Sequence, residues 1–131
     1  MRILISIRLG CAQSAATKAM LSRLGICVVE RHWRPDEQDT APIVSIELGI
    51  ETVTWHGHQP DCIAMLAELC EMGSVPAHGL GSLEEEHDAI LTRGQVVMEI
   101  ERHGADAGEF FSECGEQPLY RGETILNWLG Y

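Results

Sequence analysis

The cysteine at position 11 is the residue of this sequence best placed for chemistry. It follows an alternating, strand-like run at residues 2–9 and precedes a helix-like run at residues 14–24. At the start of a helix, backbone N–H groups and the helix dipole stabilise a thiolate, which is the nucleophilic form of cysteine. The sequence therefore predicts a reactive thiol at Cys11. Three other cysteines fall within apolar patterns and are predicted to be buried and inert: Cys27, Cys62 and Cys70.

Ser14 stands three residues after Cys11, where a second thiol would complete a redox pair. A hydroxyl cannot resolve the mixed disulfide that thiol–disulfide exchange passes through. Three interpretations stay open: a monothiol route, binding without turnover, or a serine introduced in place of cysteine to trap a complex. In all three, Ser14 is predicted to cap the helix that follows.

The elements that must position these residues follow from hydrophobic periodicity. Residues 2–9, 14–24 and 26–29 predict a strand, a helix ending at Gly25 and a second strand, with the strands parallel and the crossover right-handed. Residues 43–48 and 51–55 predict a hairpin. A helix is expected to begin at Pro60 and to end near Gly73. The order over residues 1–73 is therefore β-α-β-β-β-α.

The rest of the chain is predicted to be a linker at residues 74–81 followed by a helical extension at residues 82–131. Ser82 and Glu85 form the sequence pattern of a capping box, and an apolar stripe runs from residue 83 to residue 98. A short helix capped by Asp106 and a last helix near residues 125–129 are also expected.

The amino-acid composition and charge limit the functions that this sequence is expected to have. The net charge is −11, but residues 1–35 carry six basic residues and one acid, whereas residues 36–131 carry nineteen acids and three basic residues. This balance argues against nucleic acid as a partner, because binding phosphates requires a large positive face. No apolar run approaches membrane-spanning length. Five cysteines without a secretory context predict a cytoplasmic protein in which a thiol that matters is catalytic rather than structural.

Three blocks of this sequence resemble the NrdH-redoxin family of glutaredoxin-like proteins, which have a thioredoxin fold. The first is Cys11-Ala12-Gln13-Ser14 between a strand and a helix, in place of Cys-x-x-Cys. The second, Ala41-Pro42-Ile43-Val44, is similar to the segment where that fold places a cis-proline before its third strand. The third, Trp55-His56-Gly57-His58-Gln59-Pro60-Asp61, resembles the family motif W-S-G-F-R-P-D and keeps Trp55, Gly57, Pro60 and Asp61.

The resemblance implies a thiol–disulfide oxidoreductase whose redox-active centre is Cys11, with Ser14 at the resolving position. Electrons would pass from a thioredoxin-reductase-like donor to a protein disulfide, typically that of ribonucleotide reductase. Ala12, Gln13, Ala41 and Pro42 would contact the substrate, and no cofactor or metal is expected.

One departure from the family concerns the interval between the second and third strands, which is too short for the helix expected there. That helix normally covers one sheet face, and a large exposed apolar face is rare in a monomer. We therefore expect the extension to cover this face, or a second subunit to do so in a homodimer.

Two alternatives remain open at this stage. One is a degenerate, non-catalytic redoxin that binds a partner through its acidic extension. The other is a metal site at His56 and His58 with Asp61 and Cys62, because a His-x-His pair at a strand end points both imidazoles to one side. The loop-fixing explanation of the motif is favoured over the metal site.

Overall fold

The computed structural model describes residues 1–34, 40–48, 51–72 and 89–130. The chain forms two compact units, residues 1–67 and residues 68–131. The predicted linker at residues 74–81 lies outside the described residues. None of the helices within the described ranges is long and apolar enough to cross a membrane.

The first unit is built on a four-stranded mixed sheet. Its elements are β1 (Arg2–Ile7), α1 (Ala12–Arg23), β2 (Val29–His32), β3 (Ile43–Leu48), β4 (Glu51–His56) and α2 (Pro60–Met72), the last of which continues past residue 67. The strand order is β2-β1-β3-β4. β1 is parallel to β2 and antiparallel to β3, and β3 is antiparallel to β4. The predicted α/β class, the predicted element order and the parallel β–α–β unit are confirmed.

Alternation along the strands creates one apolar face of this sheet. Ile5 lies opposite Val44, and Val44 lies opposite Trp55 in the next strand. Two residues away on each strand, Ile3 lies opposite Ile46, and Ile46 lies opposite Val53. All of these residues are buried, as are Leu21 of α1 and Ile63 and Leu66 of α2. Each such side chain contributes about 1.5–3 kcal/mol on full burial, so this face fixes the register of the sheet.

Helix α1 begins earlier than predicted. Its first helical residue is Ala12 and its N-cap is Cys11, so the prediction that Ser14 caps the helix is wrong. Ser14 instead lies in the first turn, where its side chain is buried and bonded to the chain at the end of β1. The chain enters the helix through a turn at residues 8–11, in which the N–H of Cys11 donates to the carbonyl of Arg8.

The second strand begins later than predicted. α1 ends with Gly25 in the left-handed region (φ +71°), as expected for a glycine in that position. The N–H groups of Gly25 and Ile26 donate to the carbonyls of Ser22 and Leu21, at 3.1 and 3.0 Å. Because the N–H of Ile26 caps the helix, β2 starts at Val29 rather than at residue 26.

The hairpin at β3 and β4 and the helix beginning at Pro60 agree with the sequence pattern. Between β2 and β3, residues 33–34 and 40–42 are not helical, and residues 35–39 lie outside the described residues. The missing second helix therefore stays a prediction.

The second unit contains strands as well as helices, which corrects the expectation of a purely helical extension. Its elements are β5 (Ile90–Thr92), α3 (Arg93–Arg102), α4 (Ala107–Cys114), β6 (Leu119–Arg121) and α5 (Gly122–Leu129). β5 and β6 pair antiparallel. Ile90 and Leu91, predicted to lie in a helix, lie in β5. The reason is local, because Thr92 and Gln95 form a capping box that starts α3 after the strand.

An aromatic cluster forms part of the core of this second unit. Phe110 contacts the rings of Phe111, Tyr120 and Trp128 at centroid distances of 5.4–5.6 Å. Asp106 caps α4 as predicted, accepting a hydrogen bond from the N–H of Gly108 at 2.8 Å. The predicted capping pair Ser82 and Glu85 lies outside the described residues.

Candidate functional site

Cys11 lies where the parallel strand β1 gives way to α1. The chain leaves β1 at Ile7 and makes a turn in which the N–H of Cys11 donates to the carbonyl of Arg8 at 3.2 Å. Gly10 has φ +77° in this turn, a conformation that favours glycine. Cys11 is then the N-cap of α1, and its side chain is half-buried. The strand, the turn and the helix together hold the thiol at the positive end of a helix dipole.

The surroundings of Cys11 favour its thiolate. The pKa of the Cys11 thiol is lowered, first by the backbone N–H of Ser14 and then by a hydrogen bond from the Ser14 side chain. Burial acts against this shift, while the backbone of Gln13 and the charge of Arg8 lower the pKa further. The N–H groups of the first helical turn are thus the main cause of the lowered pKa, as expected at a helix start.

Ser14 connects the end of β1 to the thiol. The Ser14 side chain is 3% exposed, and its hydroxyl oxygen accepts a hydrogen bond from the N–H of Arg8 at 3.2 Å. The same hydroxyl contributes to the lowered pKa of the Cys11 thiol. Residue 14 is thus a buried position one helical turn from the thiol.

An open groove of about 440 Å³ surrounds Cys11. The groove is lined by residues from the strand-to-helix turn, from α1 and from the loop before β3: Arg8, Leu9, Gly10, Cys11, Gln13, Thr40 and Ala41. The sulfur of Cys11 lies 3.9 Å from the carbonyl oxygen of Ala41. The Ala41–Pro42 peptide bond is cis, which confirms the predicted isomer at this position.

The structure divides the predicted substrate-contacting residues into two pairs. Gln13 and Ala41 line the groove around Cys11. Ala12 is exposed and Pro42 is buried, and neither lines the groove.

The Trp55-to-Asp61 motif holds the loop before β3 and helix α1 together. The N–H of Gly57 donates to the carbonyl of Pro42 at 2.8 Å, and the N–H of His58 donates to Oε1 of Gln13 at 3.0 Å. The Nδ1 atom of His58 lies 2.8 Å from the hydroxyl of Thr17, which is fully buried in α1. The motif therefore fixes the two segments that flank Cys11.

The remaining residues of the motif lie away from the groove. Trp55 is buried in the core, Pro60 is the first residue of α2, and Asp61 is exposed in the first turn of that helix. His56 is exposed at the end of β4. Within the described ranges, no group of three or more His, Cys, Asp or Glu side chains lies close enough to hold a metal ion.

Sequence reasoning missed several residues that contribute to the site. Arg8, Leu9 and Thr40 line the groove, and Thr17 contacts the motif from α1. Proximity to Cys11 in the sequence was a usable signal for Arg8 and Leu9. Thr40 and Thr17 become part of the site only through tertiary contacts, which no local pattern indicates.

The thiols of Cys62, Cys27 and Cys70 differ from that of Cys11. Cys62 is buried, and burial followed by the charge of Asp61 raises the pKa of its thiol to about 11. Cys27 is exposed, which corrects its predicted burial and follows from the late start of β2. Cys70 is also exposed, so its predicted burial is wrong as well. It follows Ile63 and Leu66 at helical spacing on one face of α2 but lies in the last turn of that helix.

Compared with known protein families, curated proteins and solved structures, the chain matches none of them. The described fold is mixed α/β, and Cys11 lies at a strand-to-helix junction in it.

Alkylation at a series of pH values is expected to distinguish the thiol of Cys11 from that of Cys62. Cys11 should react with iodoacetamide at a rate that rises with pH along a profile whose midpoint lies below the ordinary thiol value of 9.0, because only the thiolate reacts and its pKa is lowered. Cys62 should stay unreactive until the pH approaches 11. Peptide mapping by mass spectrometry gives the rate at each cysteine.

The Ser14→Ala variant tests whether the Ser14 hydroxyl contributes to the lowered pKa of Cys11. Removal of the hydroxyl deletes one hydrogen bond to the thiolate, so the midpoint of the Cys11 profile should move to higher pH. An unchanged midpoint would contradict the role given to the Ser14 side chain.

Proposed function

We propose that this chain carries out thiol–disulfide exchange through Cys11 on a thioredoxin-like fold of the glutaredoxin, NrdH-redoxin type. The strand order β2-β1-β3-β4, with one parallel and two antiparallel pairs, supports this fold. The placement of Cys11 between β1 and α1, beside the Ala41 carbonyl, supports it further. Both features agree with what the resemblance implies.

One observation carries the proposed activity. The half-buried thiol of Cys11 has a lowered pKa and lines an open groove. A thiolate that is stabilised and accessible is the form that attacks a disulfide.

The first step is attack by the Cys11 thiolate on one sulfur of a substrate disulfide. A new S–S bond forms between Cys11 and that sulfur, the substrate S–S bond breaks, and the second substrate sulfur leaves as a thiolate that takes a proton from solvent. The Cys11 sulfur is oxidised and the leaving sulfur is reduced, so the step needs no outside oxidant.

The second step requires another thiol, because the hydroxyl of Ser14 cannot attack the mixed disulfide. We propose a monothiol route in which a small thiol from solution attacks the Cys11 sulfur of the mixed disulfide, so that the substrate sulfur leaves as a thiolate and Cys11 becomes disulfide-bonded to the small thiol. A second small thiol then attacks the sulfur of the first, which releases the Cys11 thiolate and forms the disulfide of the two small thiols. The protein would then act in the cytoplasm, where small thiols are abundant.

The natural partners follow from the resemblance and are proposals of the same kind. They are a protein disulfide of the ribonucleotide reductase type as electron acceptor and a thioredoxin-reductase-like protein as donor. The charge distribution is compatible with a protein partner and unfavourable for nucleic acid.

Capture of a peptide disulfide tests the activity. A cystine-containing peptide is mixed with the full chain, and the mixed disulfides at each cysteine are quantified over time by peptide mapping. Cys11 is expected to capture the peptide faster than the exposed Cys27 of the same molecules, because the surroundings of Cys11 lower the pKa of its thiol and favour the attacking thiolate.

Two variants control this experiment. Cys11→Ser should lose the fast capture, and Cys27→Ser should keep it. Capture at Cys11 no faster than at Cys27 would contradict the proposed function and favour the rival hypothesis of a redoxin-like fold that binds a partner without exchange chemistry.

A further inference from the structure

Leu9 is a large apolar side chain left in solvent beside the reactive thiol. It is 89% exposed, more than any other large apolar side chain of the described residues, of which Met98 at 61% comes next. It lines the same groove as Cys11 and Thr40. A leucine this exposed gains almost nothing from the fold, because hydrophobic stabilisation requires removal from water.

The turn between β1 and α1 fixes where Leu9 is presented. The hydrogen bond from the N–H of Cys11 to the carbonyl of Arg8 closes the turn, and Leu9 and Gly10 are its two central residues. Gly10 has φ +77°, and no heavy atom lies within 4 Å of the position where a side chain would begin. Within the described part of the chain, this side of the turn is therefore open at Gly10.

We propose, on the basis of the exchange function proposed above, that Leu9 is a specificity-determining residue that contacts the substrate. The substrate class is a protein or peptide disulfide with an apolar side chain next to the cysteine that Cys11 attacks. Contact would remove both apolar side chains from water at the moment when the two sulfur atoms meet. The rest of the groove is lined largely by polar groups and backbone, so Leu9 is the part of it that distinguishes apolar from polar neighbours.

Two cystine peptides of equal length and charge test this inference, one with leucine and the other with serine beside the cysteine. The measured quantity is the second-order rate constant for mixed-disulfide formation at Cys11. The leucine peptide is expected to react about five- to tenfold faster, the scale set by partial burial of one leucine. Hydroxyethyl disulfide, which has no neighbouring side chain, serves as the reference probe.

In the Leu9→Ser variant the ratio of the two peptide rates should fall to about one, with each rate taken relative to the rate of the same variant with hydroxyethyl disulfide. Leu24→Ser is the matched control, because Leu24 is 45% exposed but does not line the groove, and it should keep the preference. Reaction of the original chain with all three probes but without a preference, or a preference retained by Leu9→Ser, would overturn this inference alone. Failure of Cys11 to react with hydroxyethyl disulfide would overturn the proposed function and this inference with it.

Discussion

Replacing Ser14 with cysteine is expected to raise the rate of catalytic disulfide reduction about 100-fold or more. The reason is geometric, since residue 14 lies in the first turn of α1, three residues after the N-cap Cys11, and its side chain is buried. A thiol at that point attacks the mixed disulfide within the same molecule. Well-oriented intramolecular reactions reach effective concentrations of about 10⁵–10⁸ M, so even a poorly oriented one exceeds millimolar external thiol. Reduction of a protein disulfide with dithiothreitol as the terminal reductant measures the effect.

The matched control is Ser22→Cys, which makes the same chemical change at an exposed position near the far end of α1. It adds a thiol that lies too far along the helix to resolve the bond at Cys11, so turnover should stay at the level of the original chain. A side effect of Ser14→Cys is a weaker acceptor for the N–H of Arg8, which costs about 1 kcal/mol and leaves the fold intact.

The outcome of this experiment separates the interpretations of Ser14. A large gain in turnover, together with mixed-disulfide formation by the original chain, supports an exchange site that lacks only its second thiol. No turnover in either protein would contradict the exchange mechanism and favour a binding module.

The first unit was predictable from the sequence because its signals are local. Alternation in β1, β3 and β4 shows in residues such as Ile3, Ile5, Val44 and Ile46, and the helix starting at Pro60 has both a start signal and an apolar face. The ends of helices and strands were harder to predict because they depend on capping hydrogen bonds. The N–H of Ile26 can donate to the last turn of α1 or to a neighbouring strand, and the sequence does not indicate which of the two bonds forms.

The second unit was predictable only in part. The helices with clear caps or amphipathic faces, such as α4 after Asp106, were expected. The three-residue strands β5 and β6 are too short for alternation to show, and their pairing joins residues about thirty positions apart. Short strands therefore depend on tertiary pairing rather than on any periodic signal.

At the site, the sequence indicated the thiol but not its full surroundings. Cys11 stands out because a strand pattern ends before it and a helix pattern begins after it. The contacts of Ser14 with Arg8, and of Thr17 with His58, were beyond reach because side-chain pairing depends on how α1 lies against its neighbours. The Trp55-to-Asp61 motif was expected to fix a loop, and the contacts of Gly57 and His58 explain how it does so.

Replacing Gly57 with alanine is expected to destabilise the first unit by about 2–3 kcal/mol. Gly57 has φ +80°, and the left-handed region costs other residues about 1–2 kcal/mol. An added Cβ would also lie 3.0 Å from Oε1 of Gln13 and 3.5 Å from Cγ2 of Thr40. Since Oε1 of Gln13 accepts the hydrogen bond from the N–H of His58, moving it away removes about 1 kcal/mol more.

The Gly25→Ala variant measures the cost of a left-handed backbone conformation alone, without a close contact of the added Cβ. Gly25 has a similar φ of +71°, but no heavy atom lies within 4 Å of where its Cβ would be. Its substitution should cost only the conformational part, about 1–2 kcal/mol. Hydrogen exchange of the buried amides of β1 and β3 measures both variants.

At about 1.4 kcal/mol per tenfold change, exchange in Gly57→Ala should accelerate roughly 30- to 150-fold. The acceleration in Gly25→Ala should be clearly smaller. Equal acceleration in the two variants would mean that the close approach of Gly57 to Gln13 and Thr40 contributes nothing. The side chain of Gln13 would then yield to the added Cβ without losing the hydrogen bond that it accepts from the N–H of His58.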